Sequence, residues 1–351
     1  MDTLYRQAYQ TLLAALGHVT TGGALCWAAH IGATSVPDLA AHSPLDLLVV
    51  IEPSPLTQTH LAALQTLGYE PLTPLTWSAA QPFQHRDGHH LFVQAWEDER
   101  CHDQRLLRAF LNQSAAARHR YLAAKTAAGP GEAWKDELFP TLIQDAEGWW
   151  IAHDNFATLH RLLADLATLP RPWYIASGWA LDLFLGEVTR FHEDVDVVVA
   201  RQDQLVLQQH LGDCGWRWVT PLAGKLEPWP PHMRIELPRH QAHAHRLQDN
   251  GEHDFIDFLI TDFQQEIWRY RREPSIVQTV ERAVLTTADG IRYLAPELVL
   301  LFKSRNTGTR DRSKDQADFE RVLPRLDPPR RAWLRWALLV TQPNHAWLNV
   351  L

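Results

Sequence analysis

Cysteine is nearly absent. The 351 residues contain three, Cys26, Cys101 and Cys214, and no Cys-x-x-Cys pair. That excludes a disulfide framework and a four-cysteine zinc site, and it fits a reducing, cytoplasmic compartment. No apolar run approaches the roughly 18 residues that cross a bilayer, so no membrane span is expected. Residues 1–19 read as an amphipathic helix and lack the basic start and long apolar core of a secretion signal. A surplus of positive charge is also missing. The formal net charge of -8 argues against a protein that coats duplex nucleic acid through its phosphates. It leaves room for a nucleotide or a small cationic partner. Hydrophobic residues make up 46% of the chain, enough for a core in each of the two domains that this length suggests.

Hydropathy patterning divides the chain near residue 152. In the first half a helix over 3–16 precedes a strand at Leu45–Ile51 (LDLLVVI), a helix at 56–67 ended by Gly68, a strand at 90–95, and helices at 104–111, 115–127 and 133–150. The second half opens with a helix over 155–169. Strands are expected at 173–176, 195–200, 216–220, 233–237 and 255–261, with helices at 180–185, 202–214, 296–305, 314–326 and 329–340. Strands and helices are mixed in both halves, which predicts an α+β fold with a small mixed sheet flanked by helices in each. The halves also echo one another: a Gly-containing turn leads to an aspartate at the head of a Val/Leu strand, Gly32 then Asp46, and Gly178 then Asp194.

The segment 177–199, SGWALDLFLGEVTRFHEDVDVVV, carries the chemistry. Asp194 and Asp196 stand two apart at the head of a β-branched run, and residues i and i+2 of a strand share a face. Two carboxylates held that close repel unless a cation lies between them. Mg²⁺ takes carboxylate and phosphate oxygens, so a nucleoside triphosphate is the natural third party. The small-residue turn Ser177-Gly178 before a helix offers backbone N–H groups to phosphate. A third acid, Asp257 in DFIDFLITD, would share a metal and take the proton of an attacking hydroxyl, while Asp254 faces the other way. Thr189-Arg190 and Lys303 are the candidate phosphate partners, and Asp315 opens the helix that follows Lys303. His192 either orients Asp194 or is a satisfied structural histidine. The order His240, His243, His245 lacks a closing carboxylate at zinc spacing. The run Trp268-Arg269-Tyr270-Arg271-Arg272 has the composition of a nucleic-acid patch, and equally of an ordinary strand edge.

Ser177-Gly178-Trp179-Ala180, Asp182, Gly186, Thr189-Arg190, His192, Asp194-x-Asp196, Asp257-Phe258-Leu259 and Leu294-Ala295-Pro296-Glu297 through Lys303 resemble the nucleotidyltransferase superfamily with the DNA polymerase β-like fold. The resemblance is to its aminoglycoside nucleotidyltransferase-like branch and runs over 155–326. It implies transfer of a nucleotidyl group from ATP or another NTP to a hydroxyl acceptor. Two Mg²⁺ ions would be held by Asp194, Asp196 and Asp257, and the nucleotide by Ser177, Gly178, Thr189, Arg190 and Lys303. In the first half, His30 through Pro37, Leu39-Ala40-Ala41, Pro44-Leu45-Asp46, Gly68-Tyr69, His90-Leu91 and the helix through Tyr121 and Lys125 resemble the GrpB family, which is similar in fold to nucleotidyltransferases. Ala33 stands where that family has Ser, and Leu48 follows Asp46 where a second acid would be needed. A GrpB-like domain over 1–152, catalytically degenerate, and a nucleotidyltransferase domain over 153–351 are therefore expected. The acceptor is expected to be a small molecule of the aminoglycoside kind. The alternatives are an RNA-, tRNA- or protein-modifying, toxin-like transferase, a non-catalytic Mg–NTP module, and an interaction protein.

Overall fold

A computed structural model describes residues 7–8, 10–12, 25–39, 44–51, 56–74, 80–95, 102–128, 134–192, 194–222, 225–247, 253–263, 266–305 and 313–351. Two compact units emerge from its contacts. One comprises 1–153, 217–229 and 245–254, the other 154–216, 230–244 and 255–351. Of the helix expected over 3–16, residues 7, 8 and 10–12 are helical and the remainder lies outside the described residues, as do Ala40 and Ala41.

The first unit is organised by the run DLLVVI. All six residues are buried, the signature of a strand covered on both faces. It forms β2 (Asp46–Ile51), between β1 (Leu25–Ile31), antiparallel to it, and β5 (His90–Ala95), parallel to it. With β3 (Tyr69–Pro71) and β4 (Gln81–His85) the order is β1-β2-β5-β4-β3. Leu47, Val49, Phe83 and Leu91 pack with Leu64 of α1 (Gln58–Thr66) on one side. That helix starts where Thr57 accepts from the His60 N–H and His60 accepts in return, a reciprocal cap. Helices α2 (Asp103–Gln113), α3 (Ala115–Ala128) and α4 (Trp134–Asp154) follow.

The second unit holds α5 (Ala157–Leu163), β6 (Trp173–Ile175), α6 (Ser177–Leu185), β7 (Asp196–Ala200) and α7 (Gln204–Asp213). The hairpin β8 (Arg217–Leu222) and β9 (Lys225–Pro228) falls in the first unit. Then come β10 (Gln241–Leu247), β11 (His253–Thr261), β12 (Ile267–Arg269), β13 (Val277–Thr279), α8 (Val280–Ala283), β14 (Val284–Thr286) and β15 (Arg292–Leu294). Its sheet runs β14-β15-β6-β7-β11-β10. β6 is antiparallel to β7, and β7 is parallel to β11. Helices α9 (Pro296–Lys303), α10 (Ser313–Val322) and α11 (Pro328–Thr341) complete it. Arg330 of α11 donates to both carboxylate oxygens of the buried Glu297 of α9, at 2.7 and 2.8 Å. Mixed sheets flanked by helices occur in both units, the α+β class read from the pattern.

The strand expected over 233–237 does not form. Prolines at 228, 230, 231 and 238 frame it, and proline donates nothing to a ladder. Side chains satisfy its backbone instead: Ile235 N–H donates to Gln204 Oε1 (2.6 Å), and its carbonyl accepts from Arg201 (2.8 Å). The helix expected over 155–169 is shorter, because Asn155 and Phe156 adopt positive φ and separate α4 from α5.

Gly32 has φ +69°, and a Cβ placed there would lie 2.1 Å from Asp46 Oδ2. Gly32→Ala is expected to destabilise the first unit by about 2 kcal/mol, from the φ penalty plus the clash. A thermal melt followed by circular dichroism measures it, and an unchanged melt refutes the packing described.

Candidate active site

The acids meet through strand register. Asp257 on β11 is the parallel partner of Asp196 on β7. Neighbouring strands stand about 4.8 Å apart, so the two carboxylates project side by side from one face. Asp194 lies just before β7 and is exposed, its carbonyl accepting from Trp179 Nε1–H at 2.9 Å. Asp257 is buried at 8% exposure. Gln241 on β10 donates to its Oδ2 (2.8 Å), while its Oδ1 accepts no hydrogen bond and stands 3.6 Å from His243 Nε2.

These acids hold their protons unusually tightly. Burial, then the Asp194 charge, pushes Asp257 up to about 7. Burial, then the Asp194 and Asp257 charges, raises Asp196 well above the usual carboxylate range, against the pull of a Ser177 hydrogen bond and the Lys303 charge. His243 brings no relief, because burial lowers it to about 4 and leaves it neutral at pH 7.

The turn before Asp194 is fixed from beneath. The carboxylate of Asp182 on α6, 1% exposed, accepts from the Thr189 N–H (3.0 Å), the Thr189 hydroxyl (2.5 Å) and His192 Nε2–H (2.7 Å). The His192 ring stacks on Trp179, centroids 4.5 Å apart. Gly178 makes room for this packing: a Cβ there would lie 2.3 Å from Arg190 Nη2 and 2.5 Å from His192 Cε1. His192 is thus a structural histidine that carries the segment leading to Asp194, and Thr189 spends its hydroxyl on Asp182.

The two candidate cations share one buried acid. Lys303 Nζ lies 2.7 Å from Asp315 and 2.9 Å from Asp318, and Arg190 Nε lies 3.4 Å from Asp318. Asp315 is therefore an ion-pair partner as well as a helix-start acid. Below Asp196 opens a cavity of about 170 Å³, lined by Ser177, Val198, Leu259, Phe302, Lys303 and Arg271 among others. Trp268 and Tyr270 are buried at 1% and 2% exposure, and Trp268 also lines this cavity.

Two families match, one in each half. Residues 1–133 match the GrpB protein family and residues 158–224 the aminoglycoside-2''-adenylyltransferase family. No curated protein matches the chain. Among solved structures, the antibiotic-resistance factor ANT(2'')-Ia is 16% identical, with 55% of this chain and 94% of that chain covered and a TM-score of 0.37. GrpB from Enterococcus faecalis is 22% identical over 41% of this chain and 90% of its own, TM-score 0.33. The lincosamide adenylyltransferase LnuA is 15% identical over 48% and 95%, TM-score 0.34. With TM-scores below 0.5, these three likenesses carry no argument about activity.

The adenylyltransferase-family segment contains Ser177, Gly178, Thr189, Arg190, Asp194 and Asp196, and excludes Asp257 and Lys303. The GrpB segment keeps Asp46, buried and paired with His90 at 3.1 Å, and two residues on it has Leu48, fully buried. Among the described residues no three His, Cys, Asp or Glu side chains already stand as a ligand set. This applies to His240, His243 and His245 as well as to the acids. The donor set nevertheless fits a hard cation: Asp257 Oδ1 lacks a hydrogen bond, two neighbouring carboxyls resist ionising together, and the exposed Asp194 adds a third charge felt by both. No helix among the described residues is long and apolar enough to cross a membrane.

A carboxyl whose folded pKa exceeds its unfolded one costs stability as pH rises between the two values, because the folded state keeps a proton the unfolded state has released. For Asp257 that window runs from the ordinary carboxyl value of 3.8 to about 7. Metal-free protein is expected to melt several degrees higher at pH 5.5 than at pH 8, with Asp257→Asn removing much of the difference by raising the melt at pH 8. Parallel melts of the two proteins across this range check it; a wild-type-like pH profile for the variant refutes it.

Proposed function

We propose that the second unit is a nucleotidyltransferase that moves a nucleoside monophosphate from ATP or another NTP to a hydroxyl of a small molecule. The observation that carries this reading is the register pairing of Asp196 with Asp257 beside the Ser177 turn, a half-buried and a buried carboxyl whose charge nothing in the protein fully compensates. The match of 158–224 to an adenylyltransferase family supports it.

Asp194, Asp196 and Asp257 would hold Mg²⁺, which when bound supplies charge to the phosphates and lowers the pKa of a bound hydroxyl. Asp257, whose Oδ1 accepts no hydrogen bond, takes the proton of the acceptor hydroxyl. The hydroxyl oxygen then bonds to the α-phosphorus as the bond to pyrophosphate breaks. Backbone N–H groups at Ser177 and Gly178 face the phosphates. Lys303 and Arg190 exchange part of their pairing with Asp318 for phosphate oxygens. The matched family makes aminoglycosides the first acceptors to test. The RNA reading has the 268–272 run as its one local support, with Tyr270 in the core and Trp268, Arg271 and Arg272 on the cavity.

The test is label transfer from each α-labelled NTP into small molecules, RNA and protein. Asp194→Asn/Asp196→Asn is expected to lower transfer at least a thousandfold, about 4 kcal/mol of transition-state stabilisation, with an unchanged circular dichroism spectrum. Full activity in that variant removes the mechanism. Label in RNA alone moves the reading to the nucleic-acid alternative.

A further inference from the structure

The basic half of the 268–272 run is left unused by the reaction just described. Arg271 and Arg272 both line the cavity below Asp196. Arg272 is committed, its Nη1 donating to the Phe302 carbonyl at 2.9 Å. Arg271 is not. Among the described residues its guanidinium makes no hydrogen bond or ion pair, and it lies over the Phe302 ring, 5.8 Å from the centroid. Arg271 is exposed, it faces the like charge of Arg272, and its own charge reaches Asp257.

The cavity wall is therefore unbalanced. Lys303 is matched by Asp315 and Asp318. Asp196 is the one carboxylate lining the cavity, and it is reserved for a cation in the proposed reaction. A polycation entering here would meet Arg271 and Arg272 with no free acid to receive it. An oxyanion would relieve the repulsion between the two arginines and find a planar donor edge, since ring stacking leaves the guanidinium N–H groups available.

We infer that Arg271 receives an oxyanion, a phosphate or a carboxylate, of the ligand seated in this cavity, and so selects an anionic substrate over a polycationic one. The inference rests on the nucleotidyl-transfer reading and narrows its substrate class. The oxyanion belongs either to the triphosphate or to the acceptor.

Titration calorimetry on the full chain with Mg²⁺ tests this with three probes: α,β-methylene-ATP, glucose 6-phosphate and the aminoglycoside tobramycin. The wild type is expected to bind at least one anionic probe, and more tightly than tobramycin. Arg271→Gln is expected to weaken that binding by about tenfold or more, the loss of a charge-assisted contact, with Arg271→Lys recovering part of it. Circular dichroism confirms that both variants fold. A loss confined to the ATP analogue assigns the oxyanion to the triphosphate, and a loss confined to glucose 6-phosphate assigns it to the acceptor. Anionic binding unchanged in Arg271→Gln, no anionic binding by the wild type, or tobramycin as the tightest probe overturns the inference. Asp194→Asn/Asp196→Asn separates the two proposals. If that variant keeps Mg²⁺-dependent binding of the ATP analogue while Arg271→Gln loses it, the oxyanion site stands and the transfer reading falls.

Discussion

Two carboxyls forced into neighbouring register on parallel strands set the terms for the second unit. Asp196 and Asp257 cannot both ionise comfortably where they are, because burial removes the water that would screen them and Asp194 adds a third charge. The surrounding features answer that strain in part. Ser177 hydrogen-bonds Asp196, Gln241 holds one oxygen of Asp257, and the Lys303 charge is felt at Asp196. None of these neutralises the pair. A protein that keeps such an arrangement is poised for a cation in a way that an ordinary buried acid is not.

The scaffold beneath the acids is more conventional, and its parts constrain one another. Asp182 takes three donors from the 189–192 turn, Trp179 stacks on His192 and grips the Asp194 carbonyl, and Gly178 is small because Arg190 and His192 occupy the space a side chain would need. The approach to the acids is thus set by an internal hydrogen-bond network, not by the strand alone. The first unit has the same sequence of turn, then acid at a strand head, and a different outcome. Asp46 has a single histidine partner and its strand is otherwise apolar, so no comparable charge conflict arises.

The long apolar strands at the centre of each sheet were legible in the sequence, whereas strands such as β1, β4 and β10 were not. DLLVVI and DVVVA are apolar runs rich in valine behind a leading aspartate, and each forms the strand its composition predicts. The acids were legible through their i, i+2 spacing and strand context, although the strand starts at Asp196 and leaves Asp194 outside it. Contacts that depend on pairing between distant elements were not legible. Gln241 reaches Asp257 only because β10 lies beside β11, and Lys303 meets Asp318 only because α10 packs near α9. The 233–237 segment misled for a local reason: its alternation suggested a strand, while the Gln204 and Arg201 side chains take the backbone groups of Ile235 that a ladder would use. In the 268–272 run composition alone could not separate the buried rings from the cavity-facing arginines.

Asp318 is 3% exposed and joined to Lys303, Arg190 and Arg321. With these cations already satisfied indoors, a small univalent anion from the surrounding salt gains little by approaching Lys303, since it must compete with carboxylates already in place. A ligand that arrives with several negative charges and its own metal ion can redistribute the whole cluster at once. In the proposed reaction the internal ion pairs would therefore act as a filter on charge, indifferent to background electrolytes and responsive to a polyanion.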